Sequence, residues 1–152
     1  MTIATDKPFT EQQQHTLQAV AGTMIPASPD HNLPGADDPA IFRTIIDRAS
    51  RMPEAIHPAL AQVDDMAGGS YTAADPAVKL AVLNRLQQEH PALAGALVSA
   101  VAPSYYEDDR VLTSVGYPAR PPFPEGHEVE PGDWSLLDPV RARAPFYRKV
   151  TG

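Results

Sequence analysis

The chain has 152 residues, the length of one domain with one hydrophobic core, and its 19 acidic against 12 basic residues leave a formal net charge of -7, which repels a phosphate backbone and excludes general nucleic-acid binding. Cysteine is absent, which removes disulfides, thiolate metal sites and cysteine catalysis together. The 17 prolines make about 11% of the chain against a usual ~5%, which argues against a compact sheet and for helices punctuated by proline.

The first helix is marked by Thr10 and Gln13, a T-x-x-Q capping box with Phe9 at the preceding staple position. Leu17, Val20, Ala21, Met24 and Ile25 then form one apolar face until Pro26 stops the helix. Pro26 to Pro39 reads as a loop, in which Asp38-Pro39 has the form of an N-cap followed by proline at the first helical position. The second helix spans about 39–51, with Phe42, Ile45, Ile46 and Ala49 on one face. A third spans 53–67 with Ile56, Leu60 and Val63 inward, bent at His57-Pro58 and stopped by Gly68-Gly69.

Asp75-Pro76 opens a fourth helix lined by Leu80, Leu83 and Leu86, which breaks near His90-Pro91. The fifth carries Leu93, Leu97, Val98 and Val101 and is expected to end at Pro103. Ser104 and Glu107 resemble a second capping box for a short sixth helix ending at Gly116. Beyond it, Pro118, Pro121, Pro122, Pro124 and Pro131 deny helical continuation and central-strand pairing. Yet Tyr117, Phe123, Trp134, Leu136, Leu137, Phe146 and Tyr147 are too apolar for a solvated tail. The expected fold is therefore all-α: a helical domain of five or six helices over 1–116, and a long proline-rich irregular segment over 117–152 that packs on the helical domain and on a partner.

Catalytic chemistry has no sequence signal to stand on. The five histidines are dispersed, with none of the H-x-x-x-H or H-x-x-E-H spacings of a metal site. The acidic runs Asp37-Asp38, Asp64-Asp65 and Glu107-Asp108-Asp109 lack the alternation of a calcium loop and read as solvated faces or helix N-termini. No phosphate-cradling glycine pattern and no nucleophile elbow occurs. The expectation is a chain with no catalytic residue, no metal and no cofactor of its own. No run reaches the roughly 20 apolar residues that span a bilayer. The N-terminus has neither an apolar signal core nor paired arginines, so a cytoplasmic location is expected, or a periplasmic one if a leader has been removed.

Two regions resemble the gluconate 2-dehydrogenase subunit 3 family, the small subunits that accompany flavoprotein dehydrogenases of the glucose–methanol–choline group. One is Phe9-Thr10-Glu11-Gln12-Gln13 through Leu17-Gln18-Ala19-Val20-Ala21 to Met24-Ile25-Pro26-Ala27. The other comprises Tyr105-Tyr106-Glu107-Asp108-Asp109-Arg110-Val111, Gly116-Tyr117, Arg120-Pro121-Pro122-Phe123-Pro124-Glu125-Gly126 and Asp133-Trp134-Ser135-Leu136-Leu137, with Arg148 behind. The resemblance implies a non-catalytic subunit that stabilises an FAD-dependent large subunit oxidising a sugar, sugar acid or glycoside hydroxyl, with or without a cytochrome subunit. In several family members the small subunit carries a twin-arginine export signal, which this sequence lacks.

Tyr, Trp, Phe and Arg on a proline-stiffened segment are also the residue types that anchor interfaces at low ordering cost. Partner binding is accordingly expected at Tyr105, Tyr106, Arg110, Tyr117, Arg120, Phe123, Pro124, Trp134, Leu137 and Arg148. The same aromatics could instead cover the protein's own core, since burial rewards either surface. A stand-alone helical adaptor, an enzyme with a cryptic site, and a subunit whose tail shapes its partner's active site remain as alternatives.

Overall fold

Four helices begin at a proline, because its missing N–H is one the first turn leaves unpaired anyway and its φ is already helical. In the computed structural model, which describes residues 8–121, 123–124, 126 and 131–144, these are α2 (Pro39–Ala49), α3 (Pro53–Met66), α4 (Pro76–Glu89) and α5 (Pro91–Tyr106). They are preceded by α1 (Glu11–Met24) and followed by α6 (Asp109–Ser114) and α7 (Asp138–Arg141), with short 3-10 turns at Pro29–His31 and Trp134–Leu137. The fold is all-α. Among the described residues the one β-type pairing is an isolated bridge between Ser28 and Leu33.

The capping box that opens α1 is formed as its sequence demands: Thr10 N–H donates to Gln13 Oε1 at 3.0 Å and Gln13 N–H to Thr10 Oγ1 at 3.2 Å. Asp38 caps α2 by accepting from Ala40 N–H at 3.0 Å. Two helices end alike. After α3, Gly68 (φ 83°) and Gly69 return their N–H groups to Asp65 O and Asp64 O. After α6, Gly116 (φ 85°) and Tyr117 return theirs to Thr113 O and Leu112 O. Both are Schellman endings, and both require a residue that tolerates positive φ.

The chain divides into two compact units, residues 1–119 and 120–152. In the first, α5 is the central helix and packs against α2, α3 and α4, while α1 packs on α2, α3 and α4. The core is built from Leu17 and Val20, Ile41 and Ile45, Ile56, Leu60 and Val63, Val82 and Leu86, and Leu97 and Val101. In the second unit Asp133 caps the 3-10 turn, accepting from Ser135 N–H at 3.0 Å and Ser135 Oγ–H at 2.6 Å, and these bonds hold its carboxyl below the usual carboxylate range. Every residue described from 131 to 144 is exposed.

Three expectations are corrected. The fifth helix does not stop at Pro103 but runs on to Tyr106, although an interior proline removes one hydrogen bond and costs about 3 kcal/mol. The next two residues offset that cost: Ser104 and Tyr105 are buried, with Ser104 Oγ–H donating to Ala100 O at 2.9 Å and Tyr105 Oη–H to Pro34 O at 3.1 Å. Ser104 is therefore no N-cap, and α6 starts instead at Asp109 with Asp108 as its cap.

In α4 the stripe is rotated. Val82 and Leu86, four residues apart, are buried, Leu83 is half-buried, and Leu80 is 54% exposed. The third correction is Tyr71, a loop residue absent from the expected core that is fully buried. Its N–H donates to Asp64 Oδ1 at 2.9 Å and its hydroxyl to Lys79 O at 3.3 Å.

Candidate partner-binding surface

Two of the expected partner residues, Arg110 and Tyr105, are hydrogen-bonded within the helical unit, Arg110 while remaining 49% exposed and Tyr105 in the core. From the first turn of α6 the Arg110 guanidinium reaches the caps of two helices: Asp108 Oδ1 at 2.9 Å from Nε, and Asp38 Oδ1 at 2.9 Å from Nη2 with Asp38 Oδ2 at 3.2 Å from Nη1. Each carboxylate also accepts the backbone N–H two residues on. The arginine thus ties the start of α2 to the start of α6. Its charge-assisted bonds pull the Asp38 carboxyl down to about 2 and lower that of Asp108, while the two carboxylates raise Arg110 itself.

Tyr105 is the other engaged residue, 4% exposed, with its phenol pushed upward by burial. Its ring meets that of Tyr106 edge to face at a centroid distance of 5.4 Å. Beside this pair, Arg48 of α2 donates from Nε to Ser104 Oγ at 3.0 Å and forms an ion pair with Glu107. The junction of α2, α5 and α6 is in this way held by two separate arginines.

The exposed group begins where Tyr105 leaves off. Tyr106 is 55% exposed, Tyr117 68%, Phe123 84%, Trp134 67% and Leu137 40%. Arg120 and Pro124 are exposed as well. Arg148, with Phe146 and Tyr147, lies outside the described residues.

A second apolar feature is one that helical periodicity alone does not predict. The exposed side of α4 and α5, with the end of α1, forms an open groove of about 470 Å³ lined by Leu80, Leu83, Pro91, Ala94, Gly95 and Val98, with Thr23, Asn84 and Gln87 among its polar residues. Among the described residues no charged side chain lines it. A signal for it exists in the sequence, because Pro91 to Tyr106 contains no charged residue at all, and an exposed helix face is normally charged. The run is too short for a membrane span, and no helix of the described residues is long and apolar enough to cross a membrane.

Among the described residues no three His, Asp or Glu side chains assemble in a way that could hold a metal ion. A cleft of about 730 Å³ beside Arg110, lined by His31, Asn32, Pro34, Thr113 and Ser114 among others, is open and polar. Its arginine is already bonded to two carboxylates. No protein-family model, curated protein or solved structure matches this chain.

Proposed function

We propose that this chain is a non-catalytic small subunit that binds and stabilises a larger FAD-dependent dehydrogenase of the glucose–methanol–choline type. The single observation that carries the binding half of this reading is the exposure of Tyr106, Tyr117, Phe123 and Trp134. Large aromatics are more costly to leave in water than to bury, and they are the side chains that most often anchor interfaces. The flavoprotein half rests on the resemblance of residues 9–27 and 105–137 to the small-subunit family.

Tyr105 and Arg110 are satisfied within the helical unit, so in this reading they support the surface rather than touch the partner. Tyr106, Tyr117, Arg120, Phe123, Pro124, Trp134 and Leu137 are the contact residues, with Arg148 proposed from sequence alone. FAD then resides in the large subunit, which oxidises a sugar, sugar acid or similar alcohol.

The test is co-expression of the tagged chain with the flavoprotein encoded beside it. Co-purification of a yellow complex is expected, with Trp134→Ala and Phe123→Ala each weakening assembly by more than about 1 kcal/mol. Soluble, active flavoprotein in the complete absence of this chain, together with no capture on the tag, overturns the reading.

A further inference from the structure

His57 stands in the second turn of α3 and ties that helix to the start of α1. Three contacts hold it: Nε2 lies 2.8 Å from Pro8 O, Nδ1 lies 3.3 Å from Gln13 Nε2, and the ring meets that of Phe9 at a centroid distance of 5.0 Å. Phe9 is buried in the core, which fixes the imidazole from one side.

The partners fix every proton in this chain of bonds. A carbonyl only accepts, so His57 carries its proton on Nε2 and donates it to Pro8 O, which leaves Nδ1 as an acceptor. A backbone N–H only donates, so the Gln13 atom 3.0 Å from Thr10 N is Oε1, and Nε2 is the atom turned to Nδ1. The α1 capping box and the imidazole therefore share one amide, and its orientation suits neutral histidine alone. Adding a proton to Nδ1 sets two donors face to face. Turning the Gln13 amide over removes that clash, because Oε1 then accepts from Nδ1–H, but Thr10 N–H loses its acceptor. Thr10 is exposed, so water replaces Oε1 there, and a bond from a charged donor is roughly twice as strong as the neutral one given up. We propose that His57 is a pH latch on α1: neutral, it leaves the capping box closed, and protonated, it takes Gln13 Oε1 from Thr10 N–H and opens that half of the box.

Histidine is the side chain whose charge ordinarily changes between about pH 5 and pH 8, and among the described residues no ion pair holds this one in either state. On its own helix the ionisable neighbours are Glu54, one turn earlier, and Asp64 and Asp65 further on, of which Asp64 accepts from Thr16 and Tyr71. Of the helices packed against α3, α1 brings Glu11 and His15 on either side of Gln13, α4 brings Lys79 and the mutually paired Arg85 and Glu89, and α5 brings only its terminal tyrosines. Asp6 and Lys7 lie outside the described residues. Free carboxylates titrate at ~4, below that window, which leaves His15 as the other group among these whose charge can change within it. The inference is independent of the flavoprotein reading.

The experiment is an NMR titration of the full chain from about pH 8 to about pH 5, following the His57 ring nitrogens, the Gln13 side-chain amide and the Thr10 N–H. At the upper end the ring proton is expected on Nε2. As the ring titrates, the Gln13 amide and Thr10 N–H resonances are expected to shift with the same midpoint. Protection of Thr10 N–H from exchange, referred to an unstructured peptide at the same pH, is expected to fall about fivefold, as for the loss of one cap bond. Gln13→Glu separates the latch from simple fraying: a carboxylate has an acceptor for each donor, so Thr10 stays protected throughout while the ring titrates at a higher pH. His57→Phe is expected to remove the response, and His15→Gln to keep it. A proton on Nδ1 at the upper end, or Thr10 protection that is unchanged while His57 titrates, overturns the proposal. So does a response that survives His57→Phe, vanishes in His15→Gln or persists in Gln13→Glu.

Discussion

Arg110 shows how a residue type that suits an interface can be consumed by the fold. Its guanidinium fork matches two carboxylates at once, each already fixed by capping a helix, so little additional ordering is needed to hold it. The depressed Asp38 carboxyl gives the clasp a pH signature. An unfolded aspartate titrates at ~3.9, whereas folded Asp38 is held at about 2, so its stabilisation is whole above roughly pH 4 and is lost as the pH falls toward 2. Wild-type chain should lose stability over that window in urea denaturation. Arg110→Gln should be less stable at pH 7, show a flatter dependence between pH 4 and pH 2, and lose less than wild type when salt is raised to about 1 M.

Tyr71 lies at the opposite extreme, a residue invisible to pattern reading. It follows Gly68-Gly69-Ser70 in a loop, where no periodicity predicts burial, and only the folded chain brings Asp64 and Lys79 O to its polar atoms. Tyr71→Phe is expected to cost about 1 kcal/mol for the lost hydroxyl bond, and Tyr71→Ala about 3–5 kcal/mol through the cavity. Equal costs for the two would mean that the ring contributes nothing to the core.

At the scale of elements, the sequence was most legible where a single local mechanism acts. The Thr10–Gln13 box, the proline-initiated starts of α2 to α5 and the two glycine endings each involve residues within a few positions of one another. The stripe of α4 was not legible in this way. Leu80, Leu83 and Leu86 and the alternative row Val82 and Leu86 are both helical spacings, and what chooses between them is the direction from which α1 and α5 approach. Leu86→Ala should therefore cost about 2–5 kcal/mol in equilibrium unfolding, while Leu80→Ala should cost about 0.5 kcal/mol or less. The reverse order would restore the expected stripe of Leu80, Leu83 and Leu86.

Pro103 misled for the same reason, since its local penalty was plain while the burial of Tyr105 and its hydroxyl bond to Pro34 O, 71 residues away, were not. Of the candidate surface, the aromatic residue types could be read from sequence, but which of them face outward could not. Tyr105 and Tyr106 are adjacent on one helix and differ from 4% to 55% exposed.

For the whole molecule, the division at residues 119 and 120 separates a unit with its own buried core from one whose described side chains are almost all exposed. A chain ending at Gly116 keeps every residue of that core and the Gly116 N–H bond to Thr113 O, losing from the α6 ending only the Tyr117 N–H bond to Leu112 O. Such a truncation should remain helical and cooperative in thermal unfolding, within a few degrees of the full chain, because no residue described beyond Gly116 contributes a buried side chain. If the proposed function holds, the same truncation should abolish capture of the flavoprotein, since it removes Tyr117, Phe123, Trp134 and Leu137 together. Turnover measured per intact complex should stay nearly unchanged by single substitutions at those positions, with total activity falling only as folded large subunit is lost. A Trp134→Ala complex that assembles fully and yet turns over more slowly would place the segment at the partner's active site and replace a supporting role with a catalytic one.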